Sequence, residues 1–167
     1  ESAVADSMGR YSDYVEVVNA GDEAVNLAGW MLADRAEPAV ESTFTFPEQV
    51  LAPGAVLLVV ASGDLQNAAG AEYRAPFKVS SAGETICLFD PFGAAADQVE
   101  VPALEPNQCY ARDPETREWS ITGEYTPRLA NTADNHASLV AAIPMASGDL
   151  KISELMADNA TYALGDG

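Results

Sequence analysis

Basic side chains are scarce in this chain. Eight Lys and Arg stand against 26 Asp and Glu in 167 residues, a formal net charge of −18. Binding to a phosphate backbone needs a basic footprint, so nucleic acid is not expected as a ligand. The same balance argues against an anionic membrane surface. Basic proteins and divalent cations remain open as partners, and the plainer reading is that the acids keep a secreted domain in solution. No apolar run approaches the ~20 residues that span a bilayer, so membrane insertion is not expected. No signal peptide is apparent and the chain starts at Glu1 rather than Met, so it reads as an excised piece of a longer protein. Two cysteines, Cys87 and Cys109, are too few for a disulfide framework. Whether they pair is open, and the narrow geometry of a disulfide favours free thiols. The single histidine, His136 in ADNHAS, has no Cys or second His for zinc and no nucleophile beside it, so it reads as an exposed linker residue. No serine sits in a Gly-x-Ser-x-Gly elbow. No helix of ordinary length is apparent either.

What the chain does have is many short β runs between Gly and Pro turns. Tyr14 to Leu32 (YVEVVNAGDEAVNLAGWML) sets the pattern. Val15 and Val17 alternate with Tyr14, Glu16 and Val18, the period of a strand with one buried face. Asn19 to Glu23 reads as a turn, and Val25 and Leu27 resume the alternation, so the stretch is expected to be a hairpin. Gly29 suggests a bulge that re-aims Trp30 into the core beside Leu32. Phe44 and Phe46 share a face in TFTFP, and VLLVVA at Val56 to Ala61 has the length of a central strand. Ser62 to Pro76 reads as a loop and Phe77 to Val79 as a short strand. TICLFD puts Ile86 and Leu88 on one face and Cys87 and Phe89 on the other. DQVEV, CYAR and EWSI supply further strands, the last with Trp119. With 48% hydrophobic residues to bury, these runs imply an all-β sandwich or barrel.

The order of the pieces resembles the lamin tail domain, an immunoglobulin-like β-sandwich of nuclear lamins and of many bacterial secreted proteins. The matching words are DYVEVVN, VNLAGWML, FTFP, LAPGAVLLV, FKVSSAGETICLFDPFG and YTPRLAN, from about Tyr11 to Asn131. Arg128 departs from the closing motif, where the family usually has glycine after the proline. Such domains usually open with a strand like I-x-E-x-M-A. Here that word is missing ahead of Glu1, while ISELMA stands at Ile152 to Ala157. The resemblance thus implies residues 1–131 as the sandwich, 132–149 as a linker, in which Leu139 to Ile143 could form one helical turn or strand, and 150–167 as the first strand and leader of a following repeat. A sandwich short of a strand exposes an unpaired edge, and Leu150 to Ala157 is expected to fill it, in the same molecule or by a strand swap.

No catalytic or cofactor-binding residue is expected. The structural set is Trp30, Glu16, Val15, Val17, Leu27, Phe46, Leu88 and Asn131. Glu16, whose family counterpart is a recurrent carboxylate, is expected to make a structural hydrogen bond, since it has no acid–base partner in the sequence. For Trp119, core or edge packing is expected. Calcium is the weak metal candidate, with Asp22 and Glu23, Asp34 and Glu37, and Asp113 and Glu115 in acidic turns; none reproduces a known calcium motif. The functional expectation is a non-catalytic interaction or spacer module of a larger secreted or cell-surface bacterial protein. An accessory domain targeting an extracellular hydrolase such as a nuclease, and a calcium-binding adhesion module, are the alternatives.

Overall fold

The computed structural model describes residues 5–7, 9–37, 39–64 and 72–142. Eleven strands and one helix follow in order. They are β1 (Asp13–Val18), β2 (Val25–Asn26), β3 (Met31–Ala33), β4 (Thr43–Thr45), β5 (Val50–Leu51), β6 (Val56–Ala61), β7 (Tyr73–Ala75), β8 (Glu84–Phe89), β9 (Ala95–Val101), β10 (Cys109–Arg112), β11 (Trp119–Thr122) and α1 (Ala133–Ala142). The strands form a sheet β1-β6-β7, a sheet β4-β3-β8-β9, and two ribbons, β10-β11 and β2-β5. The domain is an all-β, immunoglobulin-like fold.

The run from β1 to β3 is not a hairpin. β1 pairs antiparallel with β6, from Asp13↔Ala61 to Val18↔Val56, and β2 pairs with β5. Asn19 accounts for the difference. Its buried side chain donates to the carbonyls of Glu23 (2.7 Å) and Leu51 (2.9 Å) and accepts the Gly21 N–H (3.1 Å). The amide thus satisfies three backbone groups and carries the chain away from β1. Gly29 is not a bulge either. It sits at φ +79° in a turn closed by Trp30 N–H donating to Leu27 C=O (2.9 Å), the position of a type II turn that glycine fills without strain. β5 lies outside the strand pattern of the sequence. β7 falls in the stretch that reads as loop, while Phe77 is buried outside any strand. Pro76, which has no N–H to give to a ladder, follows β7 directly. β7 pairs in parallel with β6, Val60 opposite Arg74.

Leu27, Leu32, Phe46, Leu51, Val59 and Ile86 form the centre of the core. Phe46, 1% exposed, is the largest fully buried side chain, and its ring meets Phe44 edge-on at 4.8 Å. Trp30 is therefore not the central anchor; it is half-buried and packs on the margin with Val15, Val17 and Leu88. The main-chain exchange between Phe46 and Trp30, N–H to C=O at 2.8 Å, hands the inner position to the phenylalanine. On the far face of β8, Cys87 and Phe89 bury with Ala33, as the alternation of TICLFD requires.

α1 lies in the range that reads as linker. Its apolar residues do not repeat along one face, so hydrophobic periodicity could not announce it. Local bonds hold it instead: Thr132 Oγ1 caps it by accepting the Asn135 N–H (3.1 Å), and Asn135 Nδ2 donates to Ala130 C=O (2.8 Å). His136 is accordingly not a free linker side chain. It is half-buried, its Nδ1 donates to the Tyr125 carbonyl (2.9 Å), and its ring meets Tyr125 edge-on at 5.2 Å. The expected strand at residues 150–157 lies outside the described residues.

Arg128 adopts φ +64° in a turn that Leu129 N–H closes onto Thr126 C=O (2.9 Å). A side chain in this left-handed region costs about 1–2 kcal/mol relative to glycine. Arg128→Gly is therefore expected to stabilise the domain by about 1 kcal/mol, a rise in Tm of roughly 2–4 °C. Thermal denaturation of the two proteins checks it, and a lowered Tm would refute the strain.

Candidate functional site

A cleft of about 1840 Å³ opens in the described structure. β1 forms one wall and β10, with the loop before it, forms another. Trp30, Leu32, Ile86 and Leu88 supply an apolar floor, and the segment from Glu124 to Asn131 contributes the rim.

Three ionisable side chains converge at this cleft. Tyr14 and Glu16 share one face of β1, two residues apart, and Cys109 opens β10. The Tyr14 hydroxyl lies 3.5 Å from Cys109 Sγ. Burial pushes the Tyr14 phenol well above its ordinary value, and the nearby Cys109 adds to the rise. Burial likewise raises the Cys109 thiol, the Tyr14 hydrogen bond working against it. A thiol held protonated beside a protonated phenol is a poor nucleophile, because the thiolate is the reactive form and the phenol is no base for it. Glu16 accepts the backbone N–H of Arg128 across the rim, so a carboxylate on β1 fastens the turn in which Arg128 stands. Burial pushes its pKa up to about 7, against the opposing pull of the Arg128 amide.

The Glu16 shift has a consequence for stability. The folded carboxyl keeps its proton up to about pH 7, whereas the unfolded one releases it near its ordinary value of 4.5. Its contribution is thus complete below about pH 4.5 and is lost as pH rises through about 7. Gln at this position stays neutral and still accepts the Arg128 amide. Glu16→Gln is expected to match the parent near pH 4 and exceed it in stability above about pH 7. Urea titrations of both proteins from about pH 4 to 8 measure this; a constant difference between them would contradict it.

Of the other residues singled out in the sequence, Asn131, Trp119 and Asp113 also line the cleft, whereas Asp22, Glu23, Asp34 and Glu37 do not. Asn131 bridges two segments: its Oδ1 accepts the Thr126 hydroxyl (2.8 Å) and its Nδ2 donates to Arg112 C=O (3.1 Å). Trp119 stacks on Tyr110 (5.0 Å, 20°) under the Arg112 guanidinium at 4.7 Å, and Arg112 reaches Asp97 on β9 at 3.2 Å. Asp22 and Glu23 are exposed in the turn that Asn19 organises, and Glu37 is exposed as well. Asp34 pairs with Arg35 at 3.0 Å. Asp113 accepts the N–H groups of Thr116 and Glu115, both at 2.8 Å, which holds its carboxyl below the usual carboxylate range. Among the described residues no three His, Cys, Asp or Glu side chains come together as a metal-binding group. Cys87 and Cys109 are both free thiols, the first buried and the second half-buried.

Sequence reasoning missed an ion network around Arg74 on β7. Arg74 Nη2 lies 2.6 Å from Asp6 Oδ2 and 2.8 Å from Glu72 Oε2, and its Nη1 donates to Ser62 Oγ (3.2 Å). Asp6 in turn accepts the Arg10 backbone N–H at 2.8 Å, and Glu72 accepts from Ser7 N and Oγ. Arg74 and Asp6 are buried, so the network ties the segment before β1 to β7 inside the protein. A buried arginine between two acids would have been the signal, but its partner Asp6 lies 68 positions away.

A family model described as the Lamin Tail Domain matches residues 1–103. No curated protein was found to match the chain.

Proposed function

Since the chain belongs to the lamin tail domain family, we propose that it works as a non-catalytic immunoglobulin-like module of a larger secreted or cell-surface protein, serving as spacer and as interaction surface. The observation that carries this reading is the state of the cleft. Its ionisable groups are occupied with holding the fold: Glu16 fastens Arg128, and Tyr14 and Cys109 face each other with both protons retained. Nucleophilic catalysis by Cys109 would need a base at the thiol, and the group that bonds it, the protonated Tyr14 phenol, is not one. No described helix is long and apolar enough to cross a membrane. The charge of −18 suits a protein partner or surface ligand of basic character, whose approach would slow as salt screens the field.

The experiment assays the purified chain against ester, phosphodiester and glycoside substrates, and separately measures its binding to a polylysine-coated surface across salt concentrations. No turnover and salt-sensitive binding are expected. Turnover that disappears in Glu16→Gln or Cys109→Ser would overturn the reading.

A further inference from the structure

Phe92 is 96% exposed, at the tip of the turn that joins β8 to β9. It stands in a run, Pro91 to Ala96 (PFGAAA), in which every residue is exposed and none is charged, although 20% of the chain's residues carry a charge. Single apolar residues on a surface are ordinary, but an exposed apolar run of this length is unfavourable in water unless something covers it. The turn itself does not ask for an aromatic ring. Its requirements are Asp90, whose Oδ1 accepts the Phe92 N–H (2.9 Å) and the Ala94 N–H (2.8 Å), and Gly93, which takes φ +85°. Main-chain bonds close it as well: Asp90 N–H donates to Ala94 C=O (2.9 Å), and Gly93 N–H to Asp90 C=O (3.0 Å). Pro91 rests on the turn before β3, where a Cβ on Gly29 would come to 3.4 Å from its own Cβ. The tip is thus held from two sides, and the ring is displayed from a fixed backbone.

The strands that carry the tip are acidic. β8 and β9 hold Glu84, Asp97 and Glu100 and no Lys or Arg, and Arg112 of β10 offsets only Asp97, at 3.2 Å. Glu48 is exposed in the β4–β5 connection, which the pairing of Thr45 with Met31 and of Met31 with Phe89 brings to the same end of the sheet. We propose that this tip is where the module docks: Phe92 enters an apolar pocket on a protein partner, and Lys and Arg rim that pocket. This rests on the module reading and deepens it, naming the face and the partner's chemistry. An apolar centre within a charged rim is the anatomy of a protein interface, and an aromatic ring on rigid backbone anchors well because little conformational freedom is lost on binding. The net charge selects the occupant. A second copy of the chain would bring another −18, and an anionic lipid surface would repel the tip too.

The test compares two probes on the full chain by titration calorimetry, polylysine and an amphipathic peptide of Leu and Lys. The parent is expected to bind the peptide about tenfold more tightly than polylysine, and Phe92→Ser to lose that preference while binding polylysine as before. Because the ring lies in solvent, Phe92→Ser is expected to melt with the parent. Val40→Ser removes another exposed apolar side chain (95%), in the β3–β4 connection at the opposite end of the sheet, and is expected to change neither affinity. Equal peptide affinity in the parent and Phe92→Ser, or an equal loss in Val40→Ser, would overturn the proposal and leave the module reading standing. Failure of the parent to bind polylysine would instead overturn the basic partner of that reading, and the proposal with it. Binding to phosphatidylcholine vesicles that Phe92→Ser abolishes would overturn the proposal in favour of lipid. A dimer on size exclusion that Phe92→Ser dissolves would overturn it in favour of a second copy.

Discussion

Phe46→Ala is expected to destabilise the domain by about 3–5 kcal/mol, the range for truncating a buried aromatic side chain. Phe46 is 1% exposed and sits between Phe44 and Tyr73, with ring centroids at 4.8 and 6.4 Å. Its removal leaves a void bounded by strands from both main sheets, β4 on one side and β7 on the other, and neither can collapse inward without leaving its partner. Since whole domains are stable by only about 5–15 kcal/mol, this one truncation takes a large share. Trp30→Ala serves as the contrast, because the indole is half-buried at the margin. Urea denaturation of both variants decides the order; a larger loss for Trp30→Ala would show the core to be centred on the indole after all.

Arg74→Met is expected to lower stability by about 3–5 kcal/mol for a different reason. The thioether keeps much of the volume, so the loss is electrostatic. Asp6 and Glu72 remain inside with no counter-charge, and their side chains are 1% and 8% exposed. Breaking a buried ion pair from one side is costly because the surviving charge has lost both water and partner. The effect should therefore shrink when the acids are neutralised too. Adding Asp6→Asn and Glu72→Gln to Arg74→Met is expected to recover part of the loss, and a triple variant that falls by the full sum of the three would refute the coupling.

The strands were legible where alternation reported burial directly. TICLFD reads with the right faces and VLLVVA as a central strand, because β8 buries residues on both faces and β6 lies between β1 and β7. The pairing of those strands was less legible. Asn19 looks in sequence like any turn residue, and only the reach of its amide to Leu51, 32 positions away, shows that the turn leads out of one sheet and into another. α1 escaped because short polar bonds hold it, through Thr132, Asn135 and His136, rather than an apolar stripe. The candidate site divided in the same way. Glu16 could be marked as a carboxylate tied to backbone, but that its partner is Arg128, 112 positions on, depended on the chain closing back over β1. Cys109 and Tyr14 meet across 95 positions, and nothing local in either word announces the encounter.

The β1–β6 ladder also sets the tempo at which the domain can assemble. Val18 faces Val56 and Asp13 faces Ala61, so β1 has no β6 to pair with until several intervening strands have been made. Closing a loop of about forty residues is slow compared with zipping a hairpin, and proteins dominated by such distant pairings fold in roughly milliseconds to seconds. On the ribosome β1 leaves the tunnel well ahead of its partner β6, whereas the local ribbons β8–β9 and β10–β11 are able to form as soon as they emerge.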